Sequence, residues 1–424
     1  MSDVVVVGGG IAGLVIARTL LLEGRSVTLV EASSRLGGSV GRHVVGGITL
    51  DSGAESFAVR GGTVEGLVRG LGLGDDIVTP NPAGAWLQPA SGPAVPLPAT
   101  SLLGIPGSPM ASDVIRIIGG WPAFKAFARD ALLPGVVGDK AATIGELVRR
   151  RMGDAVLEQL VAPVVSGVHS ASPDDLAVDR VAPHLRAALR RDGSLARAVL
   201  SLRELAPAGS AVAGIRGGMA RIVDALVADL ERFGADIRLN TRAKAVTPGS
   251  VILDDDVLGG TVVVAASGLL AAQDAEAAEP PRVVTLATLV VDAPQLDAAP
   301  RGTGMLVAAG APGIRAHGLT HATAKWPWLA ESAGGRHVLR LSYRDEPENL
   351  AETARADASA LLGVHLAPSA VVDFARVQWT RASAAEIVPD GVTAVGEAIA
   401  GTGLANIIAH SIMQGEALVR GSSE

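Results

Sequence analysis

Gly8, Gly10 and Gly13 follow directly on the valine run Val4 to Val7, and their G-x-G-x-x-G spacing has one characteristic chemistry, the cradling of a diphosphate. Gly8 permits the tight turn out of a strand, Gly10 lets backbone approach the phosphates, and Gly13 lets the following helix pack on the strand. Ile11 and Ala12 open a helix-like run to Leu22 and would aim free N–H groups at the anion. A second strand, Ser26 to Val30, ends at Glu31 and Ala32, where a carboxylate accepts hydrogen bonds from an adenosine ribose. An acid there repels a ribose phosphate and so disfavours NADP. A glycine turn that serves packing alone is the weaker reading, because it leaves the order strand, glycines, helix, strand, acid without a cause.

Arg35, Gly37, Gly38 and Ser39 follow the ribose acid within a turn and a loop. A surface charge is the lesser reading of Arg35. The spacing resembles the E-x-x-x-R-x-G-G signature of the amine-oxidase and protoporphyrinogen-oxidase flavoproteins, and this resemblance implies FAD rather than NAD. It extends through Asp51-Ser52-Gly53-Ala54-Glu55-Ser56-Phe57, which resembles the segment lining the central part of the cofactor. Gly214 to Met219, an amphipathic run to Phe233 and then Ile237 to Val246 resemble the second FAD-contacting unit, with Val246 at the adenine. By itself Val246 reads as a core strand residue. Near the other end, Val395-Gly396-Glu397 and Gly401-Thr402-Gly403-Leu404 resemble the element that closes the flavin ring site. A glycine-bracketed helix start of that kind directs N–H groups at an anionic group.

Further segments narrow the resemblance to the protoporphyrinogen and coproporphyrinogen III oxidases of haem synthesis. Leu160 to His169 followed by Ser172 to Leu176 is similar to the run EPLLSGIYAGDPDEL, Gly302 to Val307 to GSGFLVP, and Thr323 to Trp328 to SSKWP. Trp379 matches the tryptophan beside the flavin. The chain departs from the pattern after Trp379, where Ala382 to Pro389 stands in place of A-x-P-Q-Y-x-x-G-H and a connecting helix; this puts the wall on the substrate side in doubt.

The resemblance implies oxidation of a porphyrinogen, coproporphyrinogen III favoured over protoporphyrinogen IX, in three two-electron steps. The flavin accepts hydride, and O2 takes the electrons to give H2O2. The cofactor carries the difficult chemistry, so no side chain is assigned as acid or base. A tetrapyrrole with propionates calls for basic partners, for which Arg60, His169 and Lys325 are candidates, although by itself each reads first as solvated or structural. Two other readings stay open. A flavin amine oxidase would use Lys325 on a water but needs an aromatic frame, and Tyr343 is the sole tyrosine. A non-catalytic flavin- or porphyrin-binding paralogue would have lost activity with the shortened segment.

The elements that must position these residues are scattered along 424 residues. The expected fold class is α/β, with an FAD-binding Rossmann-type (GR2-like) domain assembled from residues 1–56, 207–275 and 371–424. A mostly antiparallel substrate-binding sheet takes 57–98 and 276–370, and a helical insertion 99–206. With 48% hydrophobic but only 3% aromatic residues, the composition suits parallel strands and helices. A net charge of -7 without a dominant basic tract argues against nucleic-acid binding. The lack of cysteine excludes disulfides and thiol chemistry and suits a reducing compartment. Ser2 and Asp3 lead straight into the valine run, so no signal peptide is expected and a cytoplasmic location is. No apolar run reaches the roughly 20 residues of a spanning helix, which leaves peripheral membrane contact, and transient contact with other haem-synthesis enzymes, as open partner classes. His317 and His321 stand at i, i+4 in a strand-like region without an acid close in sequence, so no metal site is expected.

Overall fold

Val4–Val7 is the middle strand of a five-stranded parallel sheet, flanked by Val27–Val30 and Asp236–Arg238 on one side and by Thr261–Val264 and Val392–Ala394 on the other. Successive side chains of a strand point to opposite faces, and here both faces are buried. Val4 and Val6 pack with Leu14, Val15 and Leu20 of the helix Ile11–Leu22. Val5 and Val7 join Val251, Leu253, Val262 and Val264 on the other face. A four-valine run without a polar interruption therefore suits this position and would be out of place in a half-solvated strand. The helix Ile11–Leu22 is apolar nearly all round because it too is enclosed, between the helices Ala220–Arg232 and Leu404–Gly421. Gly415 permits the second contact, since a Cβ there would come within 2.8 Å of Thr19 Cγ2.

The computed structural model describes residues 3–59, 61–169, 171–204, 212–266, 268–270, 282–381 and 388–421. The chain forms two units: residues 1–79, 212–283 and 379–424, and residues 80–211 and 284–378. The first contains the parallel sheet. It also takes in residues 57–79, which the sequence reading placed with the substrate sheet, because Phe57–Ala58 and Ile77–Val78 pair with the two halves of the strand Val212–Ile215.

The second unit joins the expected substrate sheet and helical insertion, each retaining its own apolar cluster. Seven strands run in the order 371–381, 282–291, 337–343, 318–321, 304–307, 86–88, 95–96. From 282–291 through 337–343 and 318–321 to 304–307 the pairing is antiparallel, as it is between 86–88 and 95–96, while Gly304–Val307 lies parallel to Trp86–Gln88. Leu289, Leu339 and Leu341 pack against Ala354, Ala358 and Leu361 of the helix Leu350–Leu362. The helical segment is pinned by a fully buried ion pair. Arg151 Nε donates to Asp130 Oδ1 at 2.7 Å, and the same carboxylate accepts from Ser194 Oγ and the N–H groups of Leu195 and Ala196. Arg151 spends its other donors on the carbonyls of Asp130, Pro134 and Gly193. Buried charge is tolerable only when satisfied this fully.

Candidate functional site

At the carboxyl end of the first strand the chain turns through Gly8, whose φ of +105° is accessible to glycine but strained for other residues. Five residues on, a Cβ at Gly13 would lie 1.9 Å from the Gly8 carbonyl oxygen, so helix and strand approach as closely as the backbone allows. Gly10 is different. A Cβ placed on it meets no protein atom within 4 Å, and its φ of -70° suits any residue. Neither internal packing nor backbone conformation therefore demands glycine here. Gly10 also caps the helix Ile11–Leu22 without any side-chain hydrogen bond, although Ile11 and Ala12 are buried. Helix starts of this kind draw their missing acceptors from an anion, and a diphosphate fits all of these observations.

Glu31 ties the next elements to this turn. Its Oε2 accepts from the Gly9 N–H at 2.7 Å and its Oε1 from the Ser33 N–H at 2.8 Å. A carboxylate has about four acceptor positions, which leaves one on each oxygen for ribose hydroxyls. Behind it, Glu31 N donates to the Arg238 carbonyl and Thr241 N to the Glu31 carbonyl, joining the ends of two parallel strands. Beside them lies a cavity of about 290 Å³, lined among others by Gly8, Glu31, Ala32, Thr241, Ala243 and Ala266. It opens where ligands of parallel α/β sheets bind, at the carboxyl ends of the strands.

The second glycine loop lies against the first: Gly37 N donates to the Gly9 carbonyl at 2.8 Å, and a Cβ on Gly38 would come 3.3 Å from the Gly10 Cα. Arg35 Nη1 donates to the Gly38 carbonyl at 3.2 Å, so the arginine braces its own loop while its side chain remains exposed. Ser39 meets the Gly53-Ala54-Glu55-Ser56 segment through its carbonyl, which accepts from Ala54 N. A Cβ on Gly53 would come 1.9 Å from that oxygen. Asp51 accepts from the Met219 N–H at 2.8 Å, joining this segment to the Gly214–Met219 turn. The far end of the chain arrives at the same place. Val395 N donates to the Val264 carbonyl, and a Cβ on Gly396 would lie 3.8 Å from Ala12 Cβ. Glu397, Thr402, Gly403 and Leu404 then lead into the helix Leu404–Gly421.

Not every expected residue joins this assembly. Val246 sits in the strand Ala245–Thr247, paired with Val251 and packed on the Val5 and Val7 face, and it does not line the cavity. Ala243, three residues earlier, lines it instead. The hairpin beginning at Ala245 has already carried the chain away from the strand end. Thr241, Arg242 and Ala243 fall within the Ile237 to Val246 stretch, whereas Ala266 carries no signal of its own in the sequence; all lie just past the ends of parallel strands. Trp379 is half-buried on the strand Val371–Arg381. Lys325 ends the short helix Ala322–Lys325, its Nζ 5.1 Å from the Trp326 ring centre. His169 ends the helix Ala162–His169, but its side chain, like the whole of Arg60, lies outside the described residues.

His317 and His321 are not partnered with each other. His321 Nε2 lies 3.0 Å from His337 Nδ1, and His337 Nε2 lies 3.0 Å from Asp297 Oδ1. The acid that seemed to be missing in sequence is thus supplied through His337. Burial, reinforced by His337, holds the His321 pKa down to about 4. No group of three or more histidine or acidic side chains among the described residues could hold a metal ion.

The two glycine loops, the Glu31 carboxylate and the C-terminal helix start are thus brought together at the carboxyl ends of one parallel sheet. The chain belongs to the flavin-containing amine oxidoreductase family, whose model matches residues 11–287. Within that family it is similar to the coproporphyrinogen III oxidase of Mycobacterium leprae, 28% identical over 453 residues that take in 97% of this chain and 93% of the relative. It is also similar to that of Propionibacterium freudenreichii, 28% identical over 417 residues, 86% of this chain and 78% of the relative. A crystal structure from Exiguobacterium sp. 255-15, described provisionally as a protoporphyrinogen oxidase, shares the fold with a TM-score of 0.82 at 23% identity, covering 99% and 98% of the two chains.

Proposed function

We propose that this flavoprotein oxidises a porphyrinogen to the porphyrin, coproporphyrinogen III in preference to protoporphyrinogen IX, with O2 as acceptor and H2O2 as product. The observation that carries this reading is similarity along 97% of the chain to a coproporphyrinogen III oxidase, on a fold whose glycine crossing suits an extended dinucleotide. When bound, FAD supplies the hydride-accepting ring. The chain's own residues bind and orient. The N–H groups of Ile11, Ala12 and Gly13 hold the diphosphate, Glu31 the ribose, and Ala32 with Ala243 the adenine side. Arg35, Gly38 and Ser39 flank the diphosphate, Gly53 to Ser56 the middle of the cofactor, and Glu397, Thr402, Gly403, Leu404 and Trp379 the ring end. Arg60, His169 and Lys325 are the proposed propionate partners. In this reading the second unit divides into a substrate sheet and a helical domain.

An amine oxidase is less well supported. The one tyrosine, Tyr343, is enclosed in the sheet core with its hydroxyl donating to Asp357 Oδ2 at 3.1 Å, and is committed there rather than to a flavin face. The test is to purify the protein, record its flavin absorbance, and follow porphyrin fluorescence from coproporphyrinogen and protoporphyrinogen side by side. A faster rise with coproporphyrinogen is expected. Yellow protein that raises fluorescence with neither substrate would overturn the porphyrinogen reading and leave the FAD site standing.

A further inference from the structure

Arg344 stands just past the strand His337–Tyr343, exposed and without an acidic partner among the described residues. The acids next to it in sequence do not neutralise it. Glu346 is held by Arg376 Nε and Nη2 at 2.6 Å each and by Gln378, while Asp345 and Glu348 are exposed. Arg344 Nη2 donates instead to Ser166 Oγ on the helix Ala162–His169. Ser166 is only 7% exposed, and its own hydroxyl hydrogen finds no acceptor among the described residues. A guanidinium has five N–H donors and a hydroxyl has one. Donors therefore outnumber acceptors at this spot, and a planar fork beside a hydroxyl matches a carboxylate.

The surroundings give such a group room. Opposite residues of paired strands share a face, so the register sets Leu286, Ser342, Gly318 and Leu306 in one row, turned away from the core that takes Leu339, Leu341 and Tyr343. The helix of Ser166 lies over the far end of this row, where a Cβ on Gly167 would come 2.3 Å from Leu306 Cδ2. Gly318 in its middle is uncovered at close range: a Cβ there would meet Ser342 Oγ at 3.5 Å and Met305 O at 3.6 Å, both on the flanking strands. His317, the residue before it, adds no charge of its own. Burial first, and the Arg344 charge second, hold its pKa down to about 4, and its Nδ1 is buried without a partner among the described residues.

The position within the sheet suits a substrate group. The chain enters this unit after residue 283 and leaves it after residue 378. Thr285 pairs with Tyr343, and Gln378 Nε2 donates to Thr285 Oγ1 at 3.0 Å, so Arg344 lies at the margin where both crossings occur. Trp379, proposed above at the ring end of the cofactor, is the next residue of the departing strand.

We propose that Arg344, braced by Ser166, holds a carboxylate of the porphyrinogen on the fork of its guanidinium. Ser166 Oγ accepts from Arg344 and gives its own hydrogen to the same carboxylate. This inference rests on the porphyrinogen reading and adds to it a propionate partner whose orientation is fixed by a hydrogen bond from a second element.

The test titrates coproporphyrin III and its tetramethyl ester, in the same dilute detergent, into the flavin-loaded full chain and reads porphyrin fluorescence. The parent should bind the acid more tightly than the ester. Arg344→Met should weaken the acid by about 10- to 100-fold, the contribution of one or two charge-assisted hydrogen bonds, and leave the ester unchanged. Arg344→Lys should fall between, because it keeps the charge and loses the fork. In turnover of coproporphyrinogen, KM should rise in Arg344→Met while kcat changes little. Parent-like binding of the acid by Arg344→Met would overturn the proposal. So would an equal loss for acid and ester, since Arg344 would then serve only to hold the helix on the sheet. A yellow parent protein that binds neither porphyrin and oxidises neither porphyrinogen would instead overturn the reading on which the inference rests.

Discussion

Replacing Gly10 by valine should remove the flavin and leave the fold intact. The backbone at Gly10, φ -70° and ψ 176°, suits any L-residue, and a Cβ there meets no protein atom within 4 Å. The folding cost is small. Losing glycine at a helix cap costs up to about 1 kcal/mol, and the stiffer unfolded chain returns about 0.4–1 kcal/mol, so apoprotein stability should stay within about 1 kcal/mol of the parent. Binding behaves otherwise. The branched side chain would project toward the diphosphate and hold it off the N–H groups of Ile11 to Gly13. Loss of two hydrogen bonds to a charged group, each about 1.5–3 kcal/mol, weakens FAD on the order of 10²–10⁴-fold. The assay is the ratio of flavin to protein absorbance after purification, followed by FAD titration and thermal unfolding of the apoproteins. Gly13→Ala is the contrasting control. Its Cβ would fall 1.9 Å from the Gly8 oxygen, so the helix must move off the strand, at about 1–3 kcal/mol or more in apo and loaded protein alike. A Gly10→Val protein that keeps its full flavin complement and titrates like the parent would refute the placement of the diphosphate. An apoprotein that melts well below the parent would show instead that packing, and not a ligand, demands glycine there.

Other outcomes follow from the same geometry. Ala243→Leu, which fills the cavity beside Glu31, should weaken FAD by about tenfold or more, whereas Val246→Ala should leave the titrated affinity unchanged; the reverse pattern would restore Val246 to the adenine site. Asp130→Ala strands the fully buried Arg151 guanidinium and should cost about 3–5 kcal/mol in urea unfolding, so a loss below about 1 kcal/mol would show that water reaches the pair. For His321 the folded pKa of about 4 lies below the ordinary 6.5, so the unfolded chain takes up the proton first as pH falls. The stability that depends on neutral His321 is complete above pH 6.5 and declines toward pH 4, by about 3 kcal/mol in all. His321→Gln should flatten that part of the stability profile, and an unaltered slope between those limits would assign the effect to other groups.

The local conformation of the first glycine turn was legible because it acts through near neighbours. Whether Gly8 turns or Gly13 admits a strand depends on backbone geometry over a few positions, and the burial of Val4 to Val7 on both faces is written in an unbroken apolar run. Glu31 reaches Ser33 within its own strand-to-loop turn, and it reaches Gly9, 22 residues away, because the two strands that end there are parallel neighbours. Tertiary structure alone decided the rest. Ala243, and not Val246, lines the cavity beside Glu31 because a hairpin begins at Ala245. Residues 57–79 belong with the unit that holds the parallel sheet because a distant strand, Val212–Ile215, pairs with both ends of that stretch. Asp297, His337 and His321, like Asp130 and Arg151, meet only after strand register or helix packing has brought together positions up to 40 residues apart in sequence. The helix Gly120–Leu132 carries the same lesson: its neighbours bury Ala123, Ala126 and Asp130 and leave Trp121, Phe124 and Phe127 to solvent.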